Sequence, residues 1–320
     1  MKKILMIKIN LKPLSKIVLI FTLLFITFGI YSCGNNAKND IQARDDLKAR
    51  SVKVYIDEAI FNLVEKPILQ FDTLDANCEV TFQKVTAWES MAKLLSGETD
   101  AIILSRDYTH YEDSLMEAFH VKPYLKMPLA YDALVFYTKY DYLLDSLTDL
   151  QIKTVLSDKK SSFMKFYPKL KEEPEFVTNN HLSAEAVNLK KLVLGNLVEQ
   201  KKIKMLGTSD SAMNYIKSHD NTIGIGYLSQ IIKHPEFKTL RISYIDSSGK
   251  YVFPRVVHQS NIVRKLYPYI VTHYIYIYDQ KKDASMRMGR YLSKHGNAQK
   301  YFLDNGIAPA FAKIQITDEG

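Results

Sequence analysis

The sequence predicts an α/β fold built around a parallel β-sheet, and two observations carry this prediction. Across residues 52–105, short apolar runs alternate with stretches of helical spacing in the order strand–helix–strand–helix–strand. The run at 100–105 (DAIILS) is apolar enough to be buried on both faces, as the central strands of parallel sheets are. Parallel strands are joined by right-handed crossovers, so the alternation favours strands that lie side by side in one sheet.

The elements of the first half follow from their periodicity. The alternating run at 52–56 (VKVYI) is typical of a strand, and the apolar positions at 60–71 recur at helical spacing. A strand-rich segment at 129–139 (LAYDALVFYTK) is predicted to cross between two lobes. Within it, Asp132 is either a hinge residue or a carboxylate in a solvated loop. The other elements predicted here are a strand at 79–85, a helix at 89–95 that ends near Gly97, and a strand at 100–105.

The elements of the second half are predicted from similar signals. Residues 146–156 are expected to form a helix with Ser146 as N-cap and Asp149 at N3, where a capping box places an acid. Residues 287–295 are expected to form a helix that Gly296 ends. The remaining predicted elements are strands at 175–178, 222–228 and 274–278, and helices at 184–194 and 209–217.

Residues 1–32 have the pattern of an export signal. Five lysines and no acid accompany an apolar run at 17–31, which is short for a membrane span. The segment at 30–33 (IYSC) resembles a bacterial lipobox, in which the chain is cut before a cysteine, here Cys33, whose thiol carries diacylglycerol. An uncleaved membrane anchor and a cleavage site elsewhere are the alternatives. Residues 33–50 are polar without apolar periodicity and are predicted to be a tether.

The charge balance gives no support for a nucleic-acid partner. The chain has 43 Lys and Arg against 35 Asp and Glu, and five of the basic residues precede Cys33. The mature part therefore has 38 against 35, a net charge of about +3. The sequence also lacks HExxH and Cys/His metal spacings, Walker and GxGxxG loops and a GxSxG elbow. No metal, cofactor or enzymatic activity is therefore predicted.

Several short motifs occur in an order that matches a known family. They are 57–61 (DEAIF), 101–107 (AIILSRD), 130–136 (AYDALVF), 223–227 (IGIGY), Tyr267-Pro268 before a β-run, 296–299 (GNAQ) and 306–309 (GIAP). In this order they resemble the substrate-binding proteins of phosphate-type ABC transporters, and the resemblance extends over residues 52–316.

The resemblance implies an α/β fold of the type II periplasmic-binding-protein class, with two mixed sheets flanked by helices and joined by two hinge strands. Lobe 1 would comprise residues 51–132 and 251–320, and lobe 2 residues 133–250. The resemblance also implies a monomeric protein that is not an enzyme, on the periplasmic side of the cell envelope and anchored at Cys33. Its ligand would be phosphate or a related oxyanion, captured between the lobes for an ABC permease in the membrane.

The resemblance further implies where the ligand would bind. Asp57 is either part of this site or a helix N-cap, and Arg106 and Asp107 are alternatively a surface ion pair. Asp107 would accept a hydrogen bond from a protonated oxyanion. The candidate donors are the backbone amides of Ala59, Ile60 and Phe61 and the side chains of Ser105, Arg106, Asn179, Asn180 and Ser183.

Two positions depart from the family pattern. Relatives commonly carry hydroxyl side chains where this chain has Ala184 and Glu185, and a carboxylate pointed at a phosphate dianion would repel it. This departure motivates a second hypothesis, an accessory or sensor lipoprotein of the same fold that binds a different ligand and acts through a protein partner. A third hypothesis, a hydrolase that uses Asp57, Glu58 and His181, has no nucleophile–base motif to support it.

Overall fold

The computed structural model of the protein describes residues 51–76, 78–121, 125–201, 203–278 and 283–311. These residues all belong to one unit that spans Arg50–Gly320. The predicted signal at 1–32, the tether at 33–50 and the lipidation site at Cys33 lie outside the described residues. Among the residues that are described, no helix is both long and apolar enough to cross a membrane.

The described residues form two β-sheets. Their strands are β1 (Ser51–Asp57), β2 (Glu79–Val85), β3 (Ala101–Leu104), β4 (Leu125–Lys139), β5 (Ser146–Thr148), β6 (Glu175–Thr178), β7 (Lys204–Met205), β8 (Thr222–Tyr227), β9 (Phe237–Thr239), β10 (Arg241–Ile245), β11 (Tyr251–Arg255), β12 (Ile270–Ile277) and β13 (Ala308–Pro309). The larger sheet has the order β2-β1-β3-β12-β4-β8-β6-β7, with β13 and β9 also paired to β4, and the smaller sheet has the order β11-β10-β5.

Helices pack around the two sheets. They are α1 (Phe61–Leu74), α2 (Ala87–Leu95), α3 (His110–Ala118), α4 (Asp149–Ser157), α5 (Phe163–Phe166), α6 (Ala184–Asn188), α7 (Ser209–Ser218), α8 (Leu228–Ile231), α9 (Gln259–Val263), α10 (Asp283–Lys294) and α11 (Gly296–Asp304). Helix α4 contacts β5 and β10 of the smaller sheet. A π-helical segment at Leu189–Leu194 directly continues α6. The predicted mixed α/β architecture is confirmed.

The parallel arrangement predicted for the first three strands is confirmed. Strand β1 pairs in parallel with both β2 and β3. All four residues of β3 are fully buried, because β3 lies inside the sheet between β1 and β12 and packs against α2. Burial of Ile102, Ile103 and Leu104 stabilises the fold by about 1.5–3 kcal/mol for each side chain.

Strand β4 belongs to both halves of the larger sheet. Its residues up to Ala133 pair antiparallel with β12, and those from Leu134 onward pair with β8 and then β9. We call the part with β1, β2, β3 and β12 the first sheet half, and the part with β6, β7 and β8 the second sheet half. The change of partner lies next to the predicted lobe boundary at Asp132, and the division into two lobes itself stays a prediction.

Asp132 lies in β4 where the partner strand changes, and its side chain is fully buried. Its carboxyl group accepts hydrogen bonds from the backbone N–H of Ala133 at 2.7 Å, from that of Ser229 at 3.3 Å, and from His273 Nε2 at 3.0 Å. His273 is equally buried. The carboxyl group therefore ties β4 to β12 and to α8, and the solvated-loop alternative for Asp132 is wrong.

Two predicted helix boundaries are wrong. Residues 146–148 form strand β5, which pairs with β10, and the helix begins after Thr148 instead of Ser146. The Thr148 hydroxyl accepts from the N–H of Gln151 at 3.0 Å, and the N–H of Thr148 donates to Gln151 Oε1 at 2.8 Å. The capping box therefore forms at Thr148 instead of at Ser146. Gly296 begins α11 instead of ending α10, because the His295 side chain caps the N–H of Asn297.

We predict that Asp132→Ala destabilises the fold by about 2–4 kcal/mol, because the buried donors of Ser229 and His273 lose their acceptor. Urea unfolding of the variant and the wild type measures the difference. The matched control is Asp304→Ala, which breaks an exposed ion pair with Lys300 and should change stability by less than about 0.5 kcal/mol. A loss below about 1 kcal/mol for Asp132→Ala would contradict the structural role of this carboxyl group.

Candidate functional site

A cavity of about 200 Å³ lies where the two sheet halves meet. Glu58 follows the carboxyl end of β1, Ser209 begins α7, and Gln230 lies in α8 directly after β8. Strand ends and helix N-termini therefore converge here, which is where open α/β folds bind ligands. The charged and polar side chains that line the cavity include Glu58, Asn62, Lys84, Ser209, Asp210, Gln230 and Lys233.

Asp57 is fully buried beside this cavity, and it accepts hydrogen bonds from several of the groups that were predicted to bind the ligand. Its carboxyl group accepts from the N–H of Ala59 at 3.2 Å, from the N–H of Ser105 at 3.1 Å, and from the Ser105 hydroxyl. The Asp57 carbonyl accepts from the N–H of Ile60. Helix α1 begins after Ile60 without a side-chain cap, so Asp57 is not its N-cap. Burial raises the pKa of the Asp57 carboxyl above its ordinary value.

Glu185 is also fully buried, and both of its carboxyl oxygens accept hydrogen bonds from side chains. Gln230 Nε2 donates at 2.9 Å and the Ser209 hydroxyl at 3.3 Å to one oxygen, and Asn179 Nδ2 donates at 3.0 Å to the other. Burial, with a smaller contribution from the nearby Asp57 carboxyl, raises the Glu185 pKa. Asn179, one of the predicted ligand donors, thus donates to Glu185, the residue that departs from the family pattern.

Glu58 is half-buried at the edge of the same cavity. Burial, and then the carboxyl groups of Glu185 and Asp57, raise its pKa from 4.5 to about 7, and Lys84 opposes this shift. Asn180 Nδ2 lies 3.4 Å from Glu58 Oε1 and 3.1 Å from the carbonyl of Gly207. Three carboxyl groups therefore lie close together, and neutral donors surround them.

Arg106 and Asp107 form two separate ion pairs. The Arg106 guanidinium is buried and donates two 2.6 Å hydrogen bonds to Glu112. Both terminal nitrogens of Arg106 therefore already have a carboxylate partner within the protein. Glu112 also caps α3 by accepting from the N–H of Thr109 at 2.8 Å. Asp107 pairs with Lys126 at 2.6 Å, and this lowers the Asp107 pKa although partial burial opposes the change. The alternative of an Arg106–Asp107 surface pair is wrong.

The structure brings the predicted site residues to one region, but most of their donor groups form hydrogen bonds to other groups of the protein. Ser183 is the N-cap of α6 and accepts from the N–H of Ala186 at 3.2 Å. Phe61 packs against Phe82 with ring centroids 6.0 Å apart. The ligand-binding role assigned to these residues stays a prediction.

Hydrogen bonds also cross between the two sheet halves. Asn188 Nδ2 donates to the carbonyl of Ser105 at 3.0 Å, and the Tyr227 hydroxyl lies 3.3 Å from the same carbonyl. Gln230 Nε2 donates to the carbonyl of Ala59 at 3.1 Å. Side chains of β8 and of the helices α6 and α8 thus contact the backbone of the loops that follow β1 and β3.

Sequence reasoning missed three residues of this region, namely Ser209, Gln230 and Glu112. Thr109 and Glu112 have the spacing of a capping box, so this signal was present in the sequence. Ser209 and Gln230 carry no local signal, because they meet Glu185 only through the tertiary fold. Within the described residues, no group of three or more His, Cys, Asp or Glu side chains is placed to hold a metal ion.

The sequence profile of the PBP superfamily domain matches residues 44–301 of this chain. The match covers more than half of the chain, which therefore belongs to the PBP (periplasmic-binding-protein) superfamily. No curated protein matches the chain closely enough in sequence to serve as a relative.

Solved structures share the fold at low identity. A protein from Clostridium perfringens, described as a phosphate ABC transporter substrate-binding protein with bound phosphate, has a TM-score of 0.65 at 14% identity, over 81% of this chain and 99% of that one. An ABC-type phosphate transport receptor from Vibrio cholerae has a TM-score of 0.60 at 15% identity, over 80% and 99%. The CcmR regulatory domain from Synechocystis in complex with 2-PG has a TM-score of 0.51 at 11% identity, over 76% and 95%. The predicted type II fold is confirmed.

We predict that Glu58→Gln changes how stability depends on pH. The folded protein holds a proton on Glu58 more tightly than the unfolded chain does, because the pKa is raised from 4.5 to about 7. The wild type should therefore lose stability relative to the variant as pH rises through this window. Since the group is partly exposed, solvent screening limits the loss to at most about 2 kcal/mol.

Urea unfolding at about pH 5 and about pH 8 measures this effect. Glu117→Gln replaces an exposed glutamate and is the matched control, whose difference from the wild type should not change with pH. The same pH dependence in Glu58→Gln and the wild type would contradict the raised Glu58 pKa.

Proposed function

We propose that the protein is an extracytoplasmic binding protein that captures a small polar solute in the cavity where the sheet halves meet. The observation that carries this proposal is the cavity itself, to which β2, the loop after β1 and the helices α7 and α8 contribute charged and polar side chains. Membership of the PBP superfamily and the likeness to transporter binding proteins support it. The activity is binding and involves no covalent step.

The proposal extends to the whole chain. Residues 1–32 would direct export, and a diacylglyceryl group on Cys33 would hold the protein at the membrane through the tether at 33–50. Residues 51–132 with 251–320 would form one lobe and residues 133–250 the other, with the cleft between them. The change of partner along β4 supports this division. The protein would act as a monomer, as the resemblance implies.

The first candidate is capture of phosphate or a related oxyanion for an ABC permease. The Clostridium and Vibrio structures support it, since both are described as phosphate-transport proteins. Lys84 and Lys233 line the cavity and would attract an anion. The donors that an oxyanion needs are, however, bonded to Asp57 and Glu185.

The second candidate is an accessory or sensor lipoprotein that binds a different ligand and acts through a protein partner. The carboxyl group of Glu58, which lines the cavity, favours this candidate, because an ionised carboxylate next to the ligand repels a phosphate dianion. Glu58, with a pKa of about 7, is largely ionised above neutral pH. We infer that the second candidate fits the site better, with a ligand that donates a hydrogen bond to Glu58.

We predict that phosphate, sulfate, molybdate and tungstate leave the Tm of the full chain unchanged at constant ionic strength. Small amines or amino acids should raise the Tm, because a ligand that binds only the folded state stabilises it. The increase should disappear in Glu58→Gln and persist in Glu117→Gln.

Binding calorimetry separates the two candidates. Phosphate binding with a Kd below about 10 μM, which is stronger than about −6.8 kcal/mol, would contradict the second candidate and support the first. A Tm that no solute in either group raises would contradict solute capture itself.

We predict that Cys33→Ser abolishes labelling of the protein by an alkyne-tagged fatty acid in cells. The chain has two cysteines, so Cys78→Ser is the matched control and should retain the label. Label that persists in Cys33→Ser would contradict lipidation at Cys33.

A further inference from the structure

The side chains around Glu185 form a donor set of the kind that binds an oxyanion. Asn179 follows β6, Ser209 begins α7 and Gln230 lies in α8, so three separate elements converge on the two carboxyl oxygens. All three donors are neutral, and such donors can hold an anion that is removed from water. A carboxyl group attached to the chain takes the place that the oxygens of a bound anion would take.

The three donors around Glu185 also form hydrogen bonds with one another, as the groups of a binding site do. Ser209 accepts hydrogen bonds from Gln230 at 3.1 Å and from Asn179 at 3.4 Å while it donates to Glu185. The donors are thus held in place by one another as well as by the carboxyl group. Ser209 and Gln230 also line the cavity, so the place that Glu185 fills adjoins space that a solute can enter.

We propose that Glu185 is a built-in substitute for a ligand oxyanion, and that it determines specificity by occupying three donors that could otherwise hold a small anion. The inference rests on the proposed binding function in one respect, the use of the same cavity. The chemical class that the uncovered site would take is a small carboxylate or a tetrahedral oxyanion. A purely structural role for Glu185 predicts, in contrast, no affinity for anions after its removal.

The test removes the carboxyl group and supplies one from solution. Glu185→Ala deletes a methylene, the carboxyl carbon and both oxygens, and acetate has the matching methyl, carbon and oxygens. We expect acetate and phosphate to bind the Glu185→Ala full chain at least about tenfold more tightly than the wild type, and to raise its Tm in a saturable manner. Sodium chloride at equal ionic strength should have no such effect. Glu172→Ala, at an exposed glutamate, is the matched control and should behave like the wild type.

A second substitution tests the donors themselves. Gln230→Ala combined with Glu185→Ala removes one donor to the emptied place, and the gained affinity for acetate should fall about tenfold. Anion affinity in the double variant equal to that of Glu185→Ala would overturn the proposed location.

Poor folding of Glu185→Ala without added anion would support the inference if acetate or phosphate restores the native circular dichroism spectrum. The inference would be overturned if no anion binds or refolds Glu185→Ala, and none binds or refolds the smaller change Glu185→Ser. Tight phosphate binding by the wild type would overturn it as well, and would leave solute capture intact. A wild type that binds no solute, together with a Glu185→Ala variant that binds acetate, would contradict solute capture and still support the role of Glu185.

Discussion

Strand β4 is the constraint on which the rest of the structure depends. It is 15 residues long, and its two parts pair with different strands, so it fixes the position of one sheet half relative to the other. The buried Asp132 carboxyl group lies where the partner changes and bonds to His273 in β12 and to the N–H of Ser229 in α8. The loops that follow β1, β3, β6 and β8 are brought together at this junction as a consequence.

The chemistry at this junction follows from what the loops carry. Two buried carboxyl groups, Asp57 and Glu185, each accept several hydrogen bonds from the surrounding protein. The N–H and hydroxyl groups of Ala59 and Ser105, which the sequence predicted as oxyanion donors, are thereby satisfied internally, as buried donors must be. The remaining cavity has side chains of both charges, among them Glu58, Lys84 and Lys233.

The sequence contained enough local information to predict most of the fold. The apolar runs of β1 and β3 and the alternation around them predicted parallel strands, since burial on both faces leaves a visible pattern. The start of α4 was predicted three residues too early, because two overlapping capping signals occur at residues 146–151. Only the pairing of Ser146 with Arg241, which places residues 146–148 in a strand, decides between them. The sequence also identified Glu185 as a departure from the family. Its partners Ser209 and Gln230 were not predictable, because they lie 24 and 45 residues further along the chain and meet it only in the folded protein.

The most direct test of the central claim is a crystal structure of the wild-type protein grown in phosphate buffer at about pH 7.5. We predict that the Glu185 carboxyl group contacts Asn179, Ser209 and Gln230 in this crystal, and that no phosphate lies at these donors. Phosphate bound to the same three side chains, with Glu185 rotated away from them, would contradict the claim that this residue fills the anion site.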